Sequence, residues 1–117
     1  MSYIDGFVMP IPRKNLPACK KLAAVAGKVW KEHGALGYFE CQGDDLKIKG
    51  TLSFLKMAKA KPDETAVFAW IIYKSKAHRD KVNALVMKDP RKAKVPQPMP
   101  FDPKKMACGG FKSIVSF

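Results

Sequence analysis

Acidic side chains are in short supply. The 117-residue chain has ten of them against 22 lysines and arginines, a formal net charge of +12. Arginine is rarer still, confined to Arg13, Arg79 and Arg91. Recognition of phosphates and guanine edges favours the bidentate arginine fork, whereas dispersed lysine mainly solubilises a surface. A specific nucleic-acid role is therefore not expected, and the charge offers at most weak, salt-sensitive attraction to polyanions. The three cysteines, Cys19, Cys41 and Cys108, are odd in number and far apart. Their spacing excludes a disulfide framework and a cysteine metal site, and fits free thiols in a reducing cytoplasm. No apolar run is long enough to span a bilayer, so no membrane partner is expected. No basic stretch leads into an apolar one at the N-terminus, which gives the expectation of a cytoplasmic protein. Neither internal repeats nor low-complexity tracts divide the chain, and residues 1–117 read as a single domain.

What is present is a dense apolar run, Thr65–Tyr73, with sequence TAVFAWIIY. A strand with one wet face alternates apolar and polar residues, and this one does not, so it is expected to be buried on both faces. Other elements fall around it. Tyr3–Met9 alternates as a first strand, closed by Pro10 and Pro12. Asn15–His33 carries Leu16, Cys19, Ala23, Ala26, Trp30 and His33 at helical steps, with Asn15 as N-cap and Gly34 as the stop. Ala35–Cys41 is a short second strand. Between Leu46 and Asp63 the pattern is ambiguous: Gly50–Leu55 could extend a strand, and Lys56–Pro62 looks like a basic loop. Ser75 caps a second helix that Asp89-Pro90 ends. Arg91–Lys105 is a proline-rich loop, and Phe111–Phe117 forms the last strand after a Gly109-Gly110 hinge.

The order strand, helix, strand, strand, helix, strand is the ferredoxin-like βαββαβ plan of an α+β protein: a four-stranded antiparallel sheet with two helices on one face. The other face stays uncovered in a monomer. Leaving it wet forgoes roughly 1.5–3 kcal/mol per large side chain, so a homodimer through the open sheet face is expected.

The segments YIDGFVMPIP, VWKEHGALGYFEC, KPDETAVFAWIIYKSKAHRDKVNALVM, MPFD and GGF, taken in order, resemble the YbaA-like family of small bacterial proteins of unknown function. The resemblance covers nearly the whole chain and implies membership of the dimeric α/β-barrel superfamily. It carries no catalytic assignment. Proteins sharing that fold include monooxygenases, lactone isomerases and stress-response proteins, so the fold alone does not choose a chemistry.

In this topology the first helix ends, and the second begins, at the same end of the sheet. His33 and His78 should therefore lie near one another, beside Tyr3, Asp5, Tyr73 and Arg79. A helix C-terminus favours protonated His33 and an N-terminus favours neutral His78, so the two could share acid and base roles. They could equally be core-edge residues bonded to backbone. Glu40 interrupts the second strand; facing inward its pKa would rise and it could act as a base, and facing water it would discourage edge pairing. Arg79 could hold a ligand carboxylate, or bridge to Asp5 or a partner subunit, with Asn83 extending the polar network. Trp30, Phe54, Trp70 and Phe101 could line a cleft between helices and sheet, the usual pocket that the resemblance implies, or serve as core. Asp102, with Lys104 and Lys105, falls at the opposite end, where long loops could cover an entrance. Cys41 has no neighbouring histidine and reads as a small buried hydrophobe. With no third ligand at a recognised spacing, neither a metal nor a cofactor is expected. The expectation is a homodimer binding a small organic molecule between sheet and helices. An enzyme using His33, His78 or Glu40 and a non-catalytic interaction protein with a basic surface stand as alternatives.

Overall fold

The computed structural model describes residues 2–93 and 99–117. Two ten-residue strands, β1 (Tyr3–Pro12) and β3 (Glu64–Tyr73), pair antiparallel along their whole length. A six-residue strand, β2 (Gly37–Gln42), joins the other side of β3, and β4 (Ala107–Lys112) joins β1. The sheet order is β2-β3-β1-β4, antiparallel throughout.

Side chains alternate between the faces of a strand. Tyr3, Asp5, Met9 and Ile11 of β1 share one face with Thr65, Val67, Ala69, Ile71 and Tyr73 of β3, and all nine are buried. Helix α1 (Leu16–Glu32) packs there through Cys19 and Val29, and α3 (Lys76–Met87) through Val82 and Val86. The fold is α+β with both long helices on one face. The opposite face of the described chain is open: Phe39, Phe68 and Phe111 are 45%, 43% and 61% exposed. Within one chain the TAVFAWIIY strand is thus closed on its helix side, while on the other side Ala66 is buried, Trp70 and Ile72 are part-exposed and Phe68 is exposed.

Several boundaries move from their sequence positions. β1 runs on through Pro10 and Pro12, which face Ala66 and Glu64. The Ala66 carbonyl accepts from Gly43 N–H on the β2 side, so Pro10 meets it across a pair that exchanges no ladder bond with β1. The missing N–H therefore points to the outer edge, where β4 has already ended at Ala107 opposite Val8. Asn15 is the N-cap residue of α1 but makes no side-chain cap bond; its Nδ2 donates instead to the Pro100 carbonyl at 3.0 Å, tying the helix start to the chain that returns before β4. Gly34, at φ +117°, does end the helix. Gly27 interrupts α1 at a cost of about 1 kcal/mol against alanine. It is there because a Cβ would come within 2.9 Å of the Tyr38 ring on β2.

The ambiguous region holds no strand. Instead Ser53 accepts from Lys56 N–H and opens a one-turn helix, α2 (Phe54–Met57), which sets Phe54 edge-on to Phe68 across the open face. In the segment expected as a proline-rich loop, Pro90–Ala93 forms another single turn, α4, and Asp102 caps a 3-10 turn at Pro103–Lys105. The rest of that loop, residues 94–98, lies outside the described residues.

The last strand is Ala107–Lys112, so Gly109-Gly110 lies inside it and is no hinge. Beyond Lys112, Ser113 N–H still donates to the Ser2 carbonyl at 3.0 Å, but Ser113–Phe117 does not continue the strand. Gly110 lies under the Tyr3 phenol, and a Cβ there would collide with the Tyr3 hydroxyl. Gly109, on the other face, would meet only Phe111 Cε2, at 3.8 Å. Gly110→Ala is expected to cost about 1–3 kcal/mol by overpacking, and Gly109→Ala less than about 0.5 kcal/mol. Urea denaturation of the two variants measures the contrast.

Candidate functional site

The alternation of β1 sends Tyr3 and Asp5 toward the helices, and the register sets Tyr73 opposite Tyr3. At the start of α3 the Ser75 hydroxyl accepts from His78 N–H at 3.1 Å, fixing the first turn. Arg79 and Asn83, one turn apart, then face the sheet. Arg79 Nη2 donates to Tyr3 Oη at 3.1 Å, Nη1 lies 3.6 Å from Asp5 Oδ1, and the guanidinium carbon sits 5.0 Å from the Tyr3 ring centroid. Asn83 Oδ1 accepts from Tyr73 Oη at 3.2 Å and from Trp30 Nε1 at 3.1 Å. One polar cluster thus joins β1, β3, α1 and α3.

Its electrostatics follow from burial. Asp5 is 7% exposed. Desolvation pushes its carboxyl above the ordinary value, against the pull of Arg79 and of hydrogen bonds from Asn83 and Tyr73. The Tyr73 phenol is raised for the same reason, first by burial and then by the Asp5 charge. Arg79 Nε is buried and lies 3.1 Å from Asp80 Oδ1, but outside hydrogen-bonding geometry, so it has no partner.

The cluster borders an exposed strip. On the helix-facing side of β4, Lys112 lies opposite Tyr3, Gly110 opposite Asp5 and Cys108 opposite Phe7, and all three β4 residues are exposed. The strip brings a second cation, Lys112, beside Tyr3. The sequence reading missed Lys112 and the space at Gly110. The paired glycines were the available signal, since glycine inside a strand marks a close approach.

The two histidines part company. Gly34 borders the His78 ring, so α1 does end where α3 begins. His33 Nε2, however, lies 2.8 Å from Asp89 Oδ2, just past the far end of α3. Asp89 also takes two bonds from the Arg91 guanidinium, and Arg91 reaches Glu32 at 2.7 Å. His33 thus belongs to a clamp between the end of α1 and α4. His78 Nδ1 accepts from Lys74 N–H at 3.0 Å and closes the turn into α3. Hydrogen bonds to Arg91, then to His33, hold the Asp89 carboxyl well below the usual carboxylate range.

Glu40 lies opposite Ala69 and so faces the helices, half-buried, on edge strand β2. Burial raises its carboxyl; the Cys19 thiol is pushed up to about 11 by burial and then by the Glu40 charge. Cys41, expected to be buried, is exposed on the open face beside Phe68, because β2 is an edge strand with nothing over it there.

The four aromatics do not line one cleft. Trp30 packs with the helix-face core and Phe101 against Met9, Ile11, Cys19 and Val67. Phe54 and Trp70 lie across the sheet, because even-numbered positions of β3 point away from the helices. There Phe39 stacks on Trp70 at 4.8 Å, and Trp70 leads at 5.3 Å to Phe68. Asp102 accepts from Lys104 N–H at 3.0 Å as a cap and stands exposed. A hollow of about 310 Å³ lies on the open face between Val8, Cys41, Phe54 and Phe68, and another of about 450 Å³ between α1 and Tyr38. Arg79 lines neither, and the second is bordered by Ala23, Ala24, Gly27, Lys28, Lys31 and Glu32 of α1. Among the described residues no three His, Cys, Asp or Glu side chains gather as a metal site, and no helix is long and apolar enough to cross a membrane.

A family model described as "Protein of unknown function (DUF1428)" matches residues 2–103. The chain is 42% identical over 115 residues to "Uncharacterized protein YbaA" of Escherichia coli K12, covering 98% of each chain. The protein of the same name in Shigella flexneri matches at the same identity and coverage.

The Asp89 clamp makes a prediction about pH. A carboxylate whose folded pKa is depressed contributes stability that is present above its unfolded value and lost as pH falls through the folded one. Asp89→Asn should therefore unfold at lower urea than the wild type at neutral pH. The gap should close as pH falls below the ordinary value of 3.8. Urea midpoints of both proteins across that range check it.

Proposed function

Because the chain belongs to the DUF1428 family, the YbaA-like proteins of unknown function, we propose a role from its own geometry: a homodimer of ferredoxin-like protomers that binds a small organic anion on the helix-facing side of the sheet. The strand order β2-β3-β1-β4, with both long helices on one face, supports the ferredoxin-like plan. The apolar open face supports two-fold, face-to-face packing as in a dimeric α/β barrel.

One observation carries the ligand reading: Arg79 and Asp5 are held against Tyr3 at the border of an exposed strip of β4. As core filling, such an ion pair does no better than apolar residues of equal volume. A carboxyl perturbed by burial, a guanidinium and a phenol converging beside open surface is the pattern of a binding site. Arg79 and Lys112 supply positive charge on either side of Tyr3, and Phe7 supplies an apolar floor. The anchored molecule is thus a small carboxylate with an apolar body.

A catalytic version would route proton transfer through Asp5, whose carboxyl burial raises, since His33, His78 and Glu40 have other neighbours. Asp5→Asn would then abolish turnover while leaving carboxylate binding in place.

A library of small organic carboxylates, screened by saturation-transfer NMR, tests the site. The expected outcome is a binder whose affinity falls at least about tenfold, or 1.4 kcal/mol, in Arg79→Met, and measurably in Lys112→Met. Lys112 is exposed on an edge strand, so its variant keeps the core polar cluster intact. Unchanged affinity in both variants contradicts the proposal.

A further inference from the structure

The segment after β4 is apolar and unsupported. Ile114 and Val115 are 85% and 65% exposed, and Phe117 is fully so. Its direction is fixed at the start: Ser113 N–H and Oγ both donate to the Ser2 carbonyl, at 3.0 and 3.1 Å. Those two bonds hold the start of the segment beside the start of β1, and the exposure of its apolar side chains shows that they are not packed onto the chain's own open face. That face is made of Ile4, Phe39, Phe68, Trp70, Ile72 and Phe111, with no charged side chain among them. Its one carboxylate in the paired strands, Glu64, lies at the far end, buried and bonded by Lys61 N–H.

We infer that Ser113–Phe117 is an arm that packs its apolar side chains onto a second copy of this chain. The inference rests on the face-to-face homodimer proposed above and adds a contact to it. Charge chooses the occupant. An acidic partner would be drawn to the lysines, which are spread over the rest of a surface carrying +12. Two copies, each with that charge, repel least when they meet at surfaces where neither carries charge. The open face and the segment after β4 are two such surfaces, and both are apolar. Reach is sufficient: four extended residues, Ile114 to Phe117, span about 13 Å, and packed sheets lie about 10 Å apart.

Sedimentation of the full chain over a concentration series tests this, alongside Ile114→Asp/Phe117→Asp and, as a face control, Phe68→Asp. The wild type is expected to be dimeric, with the dissociation constant raised at least tenfold in the arm variant and in the face variant. Circular dichroism should show the helices retained. A second readout mixes copies with labelled isoleucine and valine methyls with unlabelled copies and records isotope-filtered NOEs. Ile114 and Val115 should show contacts to aromatic protons of the unlabelled chain. A wild type that is monomeric throughout overturns the homodimer, and the arm with it. A wild-type dimer that loses affinity only in Phe68→Asp, with no intermolecular NOE from Ile114 or Val115, overturns the arm alone.

Discussion

Tyr3 opposite Tyr73 and Pro12 opposite Glu64 fix the register of the two central strands. A slip of one residue would set Tyr3 and Asp5 on the same face as Phe68, Trp70 and Ile72 and part them from Ile71 and Tyr73. Everything on the helix side inherits this pairing. Arg79 finds its partners on β1 and Asn83 finds one on β3 only because the register brings Tyr3, Asp5 and Tyr73 side by side. β4 in turn can lie flat beside β1 because Gly110 leaves room for the Tyr3 ring.

The polar cluster is held by distributed rather than strong bonds. Asp5 and Arg79 are 3.6 Å apart at their closest recorded pair, long for a charge-assisted hydrogen bond. Tyr3 takes the better bond from the guanidinium, and Asn83 gathers two donors onto one oxygen. The carboxyl therefore gains less from its partners than burial costs it, which is why its pKa moves up while that of Asp89 moves down. The contrast comes from geometry. Asp89 receives two guanidinium bonds of 3.0 and 2.7 Å and a third at 2.8 Å from His33. The better-bonded carboxylate belongs to a structural clamp, and the under-bonded one sits beside the open strip of β4.

Much of this was legible in the residues. The unbroken apolar run placed β3, and the period-3.6 stripes placed α1 and α3, to within a residue or two, and the Ser75 cap is where its spacing put it. The grouping of Tyr3, Asp5, Tyr73, Arg79 and Asn83 followed from topology, because strand alternation and one helical turn suffice to face them together. What escaped depended on contacts distant in sequence. His33 was drawn off by Asp89, 56 residues away, and Asn15 by Pro100, 85 residues away. Pro10 and Pro12 read as a strand end because nothing local shows that β4 stops short of them. Trp70 and Phe54 were assigned to the helix side because hydrophobicity alone does not say which face of an all-apolar strand a residue takes.

The two sides of the sheet are built for different company. On the helix side the interior is closed by apolar clusters, and polar groups border the surface at the two edge strands, Glu40 on β2 and Lys112 on β4. On the other side Gly6 faces Trp70 and Gly109, so the middle of the sheet has no side chain of its own there. The Phe111 ring leans over that gap, 3.4 Å from where a Gly6 Cβ would stand. Trp70 and the rings on either side, Phe39 and Phe68, make a row across β2 and β3. Glycines flanked by stacked aromatics give this face relief but no charge. The small anion we propose would instead meet Arg79, Lys112 and Tyr3 along the β4 strip. The homodimer we propose would bring two lysine-rich copies together at a face of the paired strands that carries no lysine, where their repulsion is least.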